Sequence, residues 1–277
     1  MTATPVTLGK HSPRAEFAPI SMAQFDCLME ARGWVVFEAA IEQTLIDRML
    51  EDMRQAYRVC REVQLKNGVA RDTEYTVHHL IGLGQSFLDF LEVMPIKPFI
   101  ERYFGGKYIL NSFGGAINSA HSRSYAHKIH RDIRSFSGNA PLLLNTLVMF
   151  DAFTPQNGAT YLMPGGHRMP SKPSTAEFFS TAQQAVGPAG SILIFNSNLW
   201  HAGGENKTDH PRRSVTPMFC KPFVKPQFDY PRALGYDKAD QLSPELRQML
   251  GYNSRIPATL DEWYQPSEQR MYRSDQG

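Results

Sequence analysis

The chain has 277 residues, of which 42% are hydrophobic and 20% charged, and its formal net charge is +2. Such a composition is typical of a globular protein with a sizeable core, and the small net charge argues against nucleic acid or an anionic membrane as a partner. The sequence has no apolar run of the roughly 18 residues that a transmembrane helix needs and no signal-peptide pattern at its start. Its three cysteines form no disulfide framework or zinc motif. We therefore expect a cytoplasmic protein, and the sequence leaves its oligomeric state open.

The N-terminal part of the chain is predicted to be mostly helical. Residues 1–20 are polar and contain proline, so we expect a mobile arm there. From residue 21 to residue 104 the apolar residues mostly recur at helical spacing. Helices are predicted at 25–29, at 45–60 with an end near Gly68, at 87–93 and at 97–104, and a strand is predicted at 34–37.

The character of the sequence changes at residue 105. As far as residue 224, short runs rich in Val, Ile, Phe and Tyr alternate with Gly, Pro and Asn. This pattern favours an all-β sandwich or barrel over βαβ units, with strands expected at 108–113, 142–150, 159–163, 191–195 and 214–220. Residues 225–277 are predicted to form a loop-rich tail with one short helix at 244–250. The sequence thus predicts a single, mainly β domain with flanking helices.

The segment His130-Arg131-Asp132 contains two candidate metal ligands. Side chains at positions i and i+2 of a strand point to the same face, so His130 and Asp132 are predicted to face one point. An imidazole and a carboxylate are two of the three ligands in the 2-His-1-carboxylate triad, which leaves open positions on Fe(II). His201, which follows the apolar run 192–195, is the best candidate for the third ligand.

Arg212 is a candidate for binding a cosubstrate. It opens a predicted strand at 212–220. When 2-oxoglutarate binds iron through its 1-carboxylate and 2-oxo group, its 5-carboxylate needs a fixed cation, and a guanidinium matches a carboxylate in two-pronged geometry. The adjacent Arg213 would face the other side of the strand, where we expect a surface charge.

Several motifs together resemble the phytanoyl-CoA dioxygenase family of Fe(II)- and 2-oxoglutarate-dependent oxygenases. They are HRD at 130–132, FTPQNGAT at 153–160, PGGH at 164–167, WHAGGEN at 200–206 and PRR at 211–213. The resemblance implies a double-stranded β-helix, the jelly-roll or cupin-like core. It also implies Fe(II) held by His130, Asp132 and His201, and decarboxylation of 2-oxoglutarate to succinate coupled to oxidation of a small-molecule substrate by O2.

The same resemblance suggests further contacts to 2-oxoglutarate. Asn145 lies on the strand face that looks towards the cosubstrate in the family, and Thr160 can reach the same site. His127 stands where the family often has a glutamine that holds 2-oxoglutarate, so its role there is an open question. Ser214 shares a strand face with Arg212 and could add a hydroxyl group to the 5-carboxylate. His167 matches a histidine that orders a loop in the family.

The same residues bear on three other classes of protein. An iron halogenase has Gly or Ala in place of the carboxylate ligand, and Asp132 argues against that activity. A non-catalytic cupin-like binding protein would be expected to lack Arg212, and no Gly-x-Ser-x-Gly motif suggests a hydrolase. The second substrate is undetermined, although His78, His79, Arg134 and Phe136 are candidates to touch it. Hydroxylation is favoured, with desaturation and ring formation as alternatives.

Overall fold

The computed structural model describes residues 20–120 and 125–276. The mobile arm expected over residues 1–20 lies outside the described residues, except for Ile20. The described part consists of helices packed against two antiparallel β-sheets.

Four helices lie in the N-terminal part, as the apolar spacing predicts. They are α1 (Met22–Ala31), α2 (Gln43–Lys66), α3 (Gln85–Val93) and α4 (Lys97–Phe104). Helix α1 begins with a capping box, in which Ser21 and Gln24 satisfy each other's backbone N–H groups. Helix α2 is amphipathic and buries Leu45, Met49 and Met53 on one side.

The later helices are short. They are α5 (Thr175–Thr181), α6 (Tyr230–Leu234), α7 (Pro244–Met249) and α8 (Leu260–Trp263). The prediction of a single helix in the C-terminal tail was therefore wrong, because α6 and α8 flank the expected α7. Both missed helices start at a side-chain cap, Asp229 for α6 and Thr259 for α8, but each has only four or five residues and no apolar repeat.

The larger sheet contains six strands. In chain order they are β1 (Trp34–Phe37), β2 (Thr76–Val77), β3 (Ile109–Asn118), β4 (Leu143–Met149), β7 (Ile192–Asn196) and β9 (Arg212–Cys220). Their spatial order is β1-β7-β4-β9-β3-β2, and every pairing is antiparallel. The smaller sheet has the order β6-β5-β8, from β5 (Tyr161–Leu162), β6 (Gln183–Gln184) and β8 (His201–Ala202).

The two faces of the larger sheet have different partners. Alternate residues of β4 and β7 enter the core shared with α1–α4; they are Leu144, Val148, Ile192 and Ile194. The intervening residues belong to a second cluster, which joins the smaller sheet; they are Leu147, Met149, Leu193 and Phe195, with Ala159, Leu162 and Leu199. The helices therefore cover one face, and the space between the sheets lies on the other.

Candidate metal centre

His130, Asp132 and His201 come together between the two sheets. One potential ligand atom from each residue lies within 4.8 Å of the other two. The Nε2 atom of His130 is 3.5 Å from Oδ1 of Asp132, and the Nε2 atom of His201 is 3.5 Å from Oδ2. Two imidazoles and one carboxylate at these distances fit around one divalent metal ion, since first-row metals bind such donors at about 2 Å.

The backbone brings the two histidines together in an unexpected way. The predicted strand through His130 and Asp132 was wrong, because only His130 makes a β-bridge and residues 132–135 form bends. That bridge pairs His130 with His201, the first residue of β8, through two N–H···O bonds of 2.9 Å. Convergence of the ligands thus depends on a long-range bridge between two segments that are distant in sequence.

Both imidazoles are held with Nε2 towards the centre. The Nδ1 atom of His130 lies 2.7 Å from the carbonyl oxygen of Lys128, and Nδ1 of His201 lies 2.9 Å from that of Leu199. When Nδ1–H donates in each case, Nε2 can offer its lone pair to a metal. Burial lowers the pKa of His201, which favours the neutral form that binds metals.

Arg212 supplies a buried positive charge beside the triad. It is 6% exposed at the start of β9, and its guanidinium lies 4.0 Å above the ring of Phe153. Among the described residues, neither Nε nor Nη1 of Arg212 has a hydrogen-bond partner. Burial lowers the pKa of Arg212 to about 10. Because unpaired buried donors are costly, this arginine fits a site that receives an anion such as a carboxylate.

Arg213 points to the other side of β9, as predicted from strand alternation. Its guanidinium donates to Asp151, with Nη2 2.6 Å from Oδ1 and Nε 2.9 Å from Oδ2. The side chain is therefore part of a two-pronged ion pair, where the sequence suggested only a surface charge.

One cavity of about 260 Å³ connects the triad and Arg212. Thr160 and Ser214 also line it, both of them buried, as does Asn145. The cavity continues to residues that were not predicted from the sequence. Thr216 and Met218 lie on β9 and alternate with Arg212 and Ser214, so strand alternation could have identified them, whereas Ser112 on β3 and Gln227 in a loop carry no such signal.

His127 borders a different space. It lines a neighbouring cavity of about 680 Å³ on the far side of Gly203, together with Tyr161 and Glu205. Burial lowers the pKa of His127, and the positive charge of Arg212 lowers it further, so the two side chains interact electrostatically. Its proposed contact with 2-oxoglutarate stays a prediction.

Asn145 is engaged with a metal-ligand candidate. Its Nδ2 donates to Oδ2 of Asp132, and its Oδ1 accepts from the hydroxyl of Ser197 at 2.8 Å. Asn145 was predicted to contact the cosubstrate, whereas no pattern in the sequence indicated Ser197. Ser197 directly follows β7, and only the pairing of β7 with β4 brings it near Asn145.

The remaining predicted residues divide between the site and its surroundings. His78 and His79 line the cavity of the triad. Arg134 and Phe136 are not among the described residues that line the cavity. Arg134 is exposed, and Phe136 lies near the guanidinium of Arg131. His167 is buried and packs closely against Gly33, and its role in ordering a loop stays a prediction.

Solved structures resemble this fold. AviO1 from Streptomyces viridochromogenes superposes with a TM-score of 0.57 at 18% identity, over 76% of this chain and 99% of that chain. EvdMO1 superposes with a TM-score of 0.56, also at 18% identity, over 73% of this chain and 50% of that chain. At this identity the likeness concerns the fold, and it confirms the predicted jelly-roll with flanking helices.

Curated relatives match by sequence. A Mycobacterium tuberculosis protein, "Uncharacterized protein Rv1501", is 29% identical over 264 residues, which are 93% of this chain and 96% of the relative. Dioxygenase sphC of Aspergillus fumigatus is 26% identical over 61% of this chain and 47% of its own length. Dioxygenase trt7 of Aspergillus terreus is 29% identical over 53% of each chain. The matched region is about half the length of these two fungal relatives.

No helix of the described residues is long and apolar enough to cross a membrane.

The model of the phytanoyl-CoA dioxygenase (PhyH) family matches residues 29–214, a span that includes all three metal-ligand candidates and Arg212. This match covers well over half of the sequence. The chain therefore belongs to the phytanoyl-CoA dioxygenase family.

Proposed function

We propose that this chain is an Fe(II)- and 2-oxoglutarate-dependent dioxygenase that oxidises a C–H bond of a small-molecule metabolite or natural product. Family membership and the dioxygenase names of the fungal relatives support an oxygenase. The observation that carries the cosubstrate assignment is the shared cavity. In it a His-Asp-His triad and a buried arginine, whose Nε and Nη1 have no hydrogen-bond partner among the described residues, face one space. We further propose that the whole chain forms a single oxygenase domain.

The proposed roles follow from charge and position. His130, Asp132 and His201 would hold Fe(II), and Arg212 would pair with the 5-carboxylate of 2-oxoglutarate. The charges of Fe(II), one carboxylate and dianionic 2-oxoglutarate sum to a single negative charge, which the guanidinium of Arg212 balances. Ser214 and Thr160 line the same cavity and offer hydroxyl groups to the cosubstrate. Asn145 and His127 remain proposed contacts, with Asn145 already bonded to Asp132.

The second substrate would use the part of the cavity away from Arg212. His78, His79 and Gln227 line the cavity and are the proposed contacts of that substrate. Burial and the nearby His78 lower the pKa of His79 to about 4, so at neutral pH His79 presents an uncharged imidazole. Such a group suits a hydroxyl or carbonyl of a neutral small molecule.

When iron and 2-oxoglutarate are bound, they supply a two-electron oxidation in which one atom of O2 enters succinate, CO2 is released and the other atom is available to the substrate. We propose hydroxylation as the outcome, with desaturation or ring formation decided by how the substrate is positioned. Asp132 in the third ligand position argues against halogenation.

The proposal is tested by measuring succinate formed from 2-oxoglutarate, Fe(II) and O2. The wild-type chain is expected to form succinate, and His201→Ala is expected to abolish it. Arg213→Ala serves as the control, because Arg213 pairs with Asp151 outside the cavity. Succinate formation that survives loss of His201 would contradict the proposal. Once a substrate is found, labelled O2 should place one atom in succinate and, for hydroxylation, one in the product.

The alternative function is that of a non-catalytic cupin-like binding protein, and the same assay distinguishes it. It would bind a metal and a ligand without forming succinate under any condition.

A further inference from the structure

A series of hydrogen bonds between buried polar side chains ends at Asp132. The hydroxyl of Ser197 donates to Oδ1 of Asn145, and Nδ2 of Asn145 donates to Oδ2 of Asp132. Ser197 is 1% exposed and Asn145 is 4% exposed. Both residues belong to the larger sheet or its immediate end, since Asn145 lies in β4 and Ser197 directly follows β7.

The direction of each hydrogen bond is fixed by chemistry. An ionised carboxylate only accepts hydrogen bonds, so Asp132 must face the NH2 group of Asn145. The amide oxygen of Asn145 then faces Ser197, whose hydroxyl must donate. Ser197 therefore holds the Asn145 amide in the one orientation that suits Asp132.

Asp132 needs such a support because no strand holds it. The residues that follow His130 form bends instead of a ladder. The backbone N–H of Ile133 donates to the carbonyl oxygen of Ser197 at 3.2 Å, so Ser197 also anchors the backbone next to Asp132. Ser197 thus acts on Asp132 both through the backbone and through the side chain of Asn145.

We propose that Asn145 and Ser197 are positioning residues for the metal centre, which hold Asp132 so that it binds the metal through one carboxylate oxygen. This inference rests on the proposed function. The hydrogen bond to Oδ2 leaves Oδ1 as the better donor. One-oxygen binding matters because three protein ligands leave three positions on an octahedral ion, whereas a carboxylate that binds through both oxygens would take one of them. Asn145 then acts through Asp132, and its variants should change metal binding before any cosubstrate is added.

The test is Mn²⁺ binding to the full chain in the absence of 2-oxoglutarate. Asn145→Ala is expected to weaken Mn²⁺ binding roughly 10- to 100-fold, as loss of partners of metal ligands commonly does. Ser197→Ala should weaken it less, and the double variant should be no weaker than Asn145→Ala alone, because Ser197 acts through Asn145. Asn111→Ala is the matched control, since Asn111 is equally buried but lies outside the cavity; it should lower stability without changing Mn²⁺ binding.

A spectroscopic measurement distinguishes a specific effect on the position of Asp132 from a general loss of order at the metal centre. The number of waters on bound Mn²⁺, measured by line broadening in ¹⁷O-enriched water, should fall from about three to about two in Asn145→Ala as Asp132 binds through both oxygens.

Three results would overturn the inference. In the first, Asn145→Ala leaves Mn²⁺ affinity unchanged and weakens only 2-oxoglutarate binding, which would make Asn145 a cosubstrate contact. In the second, Asn145→Ala and Asn111→Ala weaken Mn²⁺ binding equally. In the third, affinity falls but the water count stays constant. If the wild-type chain binds no Mn²⁺, Fe²⁺ or Co²⁺, the proposed function fails as well, so the two failures are distinguishable.

Discussion

At the scale of single residues, adjacent arginines of β9 have opposite roles. Arg212→Ala is expected to weaken 2-oxoglutarate binding about 10- to 100-fold, because a charge-assisted hydrogen bond contributes about 1.5–3 kcal/mol. Arg213→Ala should leave 2-oxoglutarate affinity nearly unchanged, since Arg213 pairs with Asp151. Calorimetric titration of 2-oxoglutarate into the Mn²⁺-loaded variants measures both effects. Equal losses of 2-oxoglutarate affinity in the two variants would contradict the assignment of Arg212 and Arg213 to opposite faces of β9.

His79 provides a second prediction at this scale. Its backbone φ of 55° is left-handed, its ring stacks on Phe228 at 4.1 Å, and its pKa is lowered to about 4, first by burial and then by His78. In the unfolded chain a histidine titrates near ~6.5. The unfolded state therefore binds more protons than the folded state between about pH 6.5 and 4, so His79 destabilises the fold progressively as the pH falls through that window.

His79→Asn should reduce this acid destabilisation, because asparagine carries no titrating group and tolerates left-handed backbone. Thermal melts of the metal-free protein at about pH 7.5 and about pH 5 check the prediction. The drop in Tm should be smaller in His79→Asn than in the wild type, while His210→Asn, at an exposed position, should retain the wild-type drop. An unchanged drop in His79→Asn would show that the imidazole is protonated in the folded state.

At the scale of elements, the turn between β4 and β5 packs against the segment that follows β8. Gly158 has a φ of +82°, and a Cβ there would collide with the carbonyl oxygen of Gly204 and lie 2.7 Å from Nδ2 of Asn118. Asn118 in turn donates to Gly204, so these contacts lock the Asn157-Gly158 turn against the segment after His201 and Ala202.

Gly158→Ala should therefore destabilise the fold by more than backbone strain alone. Gly68 is the matched control, because its φ is +70° but a Cβ there meets nothing within 4 Å. We expect Gly68→Ala to cost about 1 kcal/mol and Gly158→Ala roughly 2–4 kcal/mol. Urea unfolding of the two variants measures the difference, and equal midpoints would argue against close packing of the turn.

At the scale of the whole molecule, a bound metal joins the bend that carries Asp132 to His130 and to His201 of β8, and it should stabilise the fold. At 100 times its dissociation constant, a ligand adds about 2.7 kcal/mol, which corresponds to a rise in Tm of about 5–10 °C for a domain of this size. We expect Mn²⁺ to produce this rise in the wild type and in Asp151→Ala, whose carboxylate pairs with Arg213. Asp132→Ala should show no rise. The same shift in Asp132→Ala would place the metal elsewhere.

Local patterns predicted much of the architecture. The apolar spacing of α2 and the mostly apolar stretches of β4 and β7 mark elements whose own residues favour the structure that they adopt. Two-residue strands such as β2, β6 and β8 contain too few residues for a periodic signal, and only their partners in the sheets define them.

The sequence by itself determined the chemical types of the candidate site: two histidines, one aspartate and an arginine, in motifs whose order matches the family. It also determined which side of β9 each arginine faces, because side chains alternate along a strand. Only the tertiary structure decided how His130 and Asp132 face one point, since that depends on the bridge to His201 and on Ser197 and Asn145. The His130–His201 bridge and the Ser197–Asn145 hydrogen bond join residues more than 50 positions apart, and no local pattern encodes the pairing of strands that brings them together.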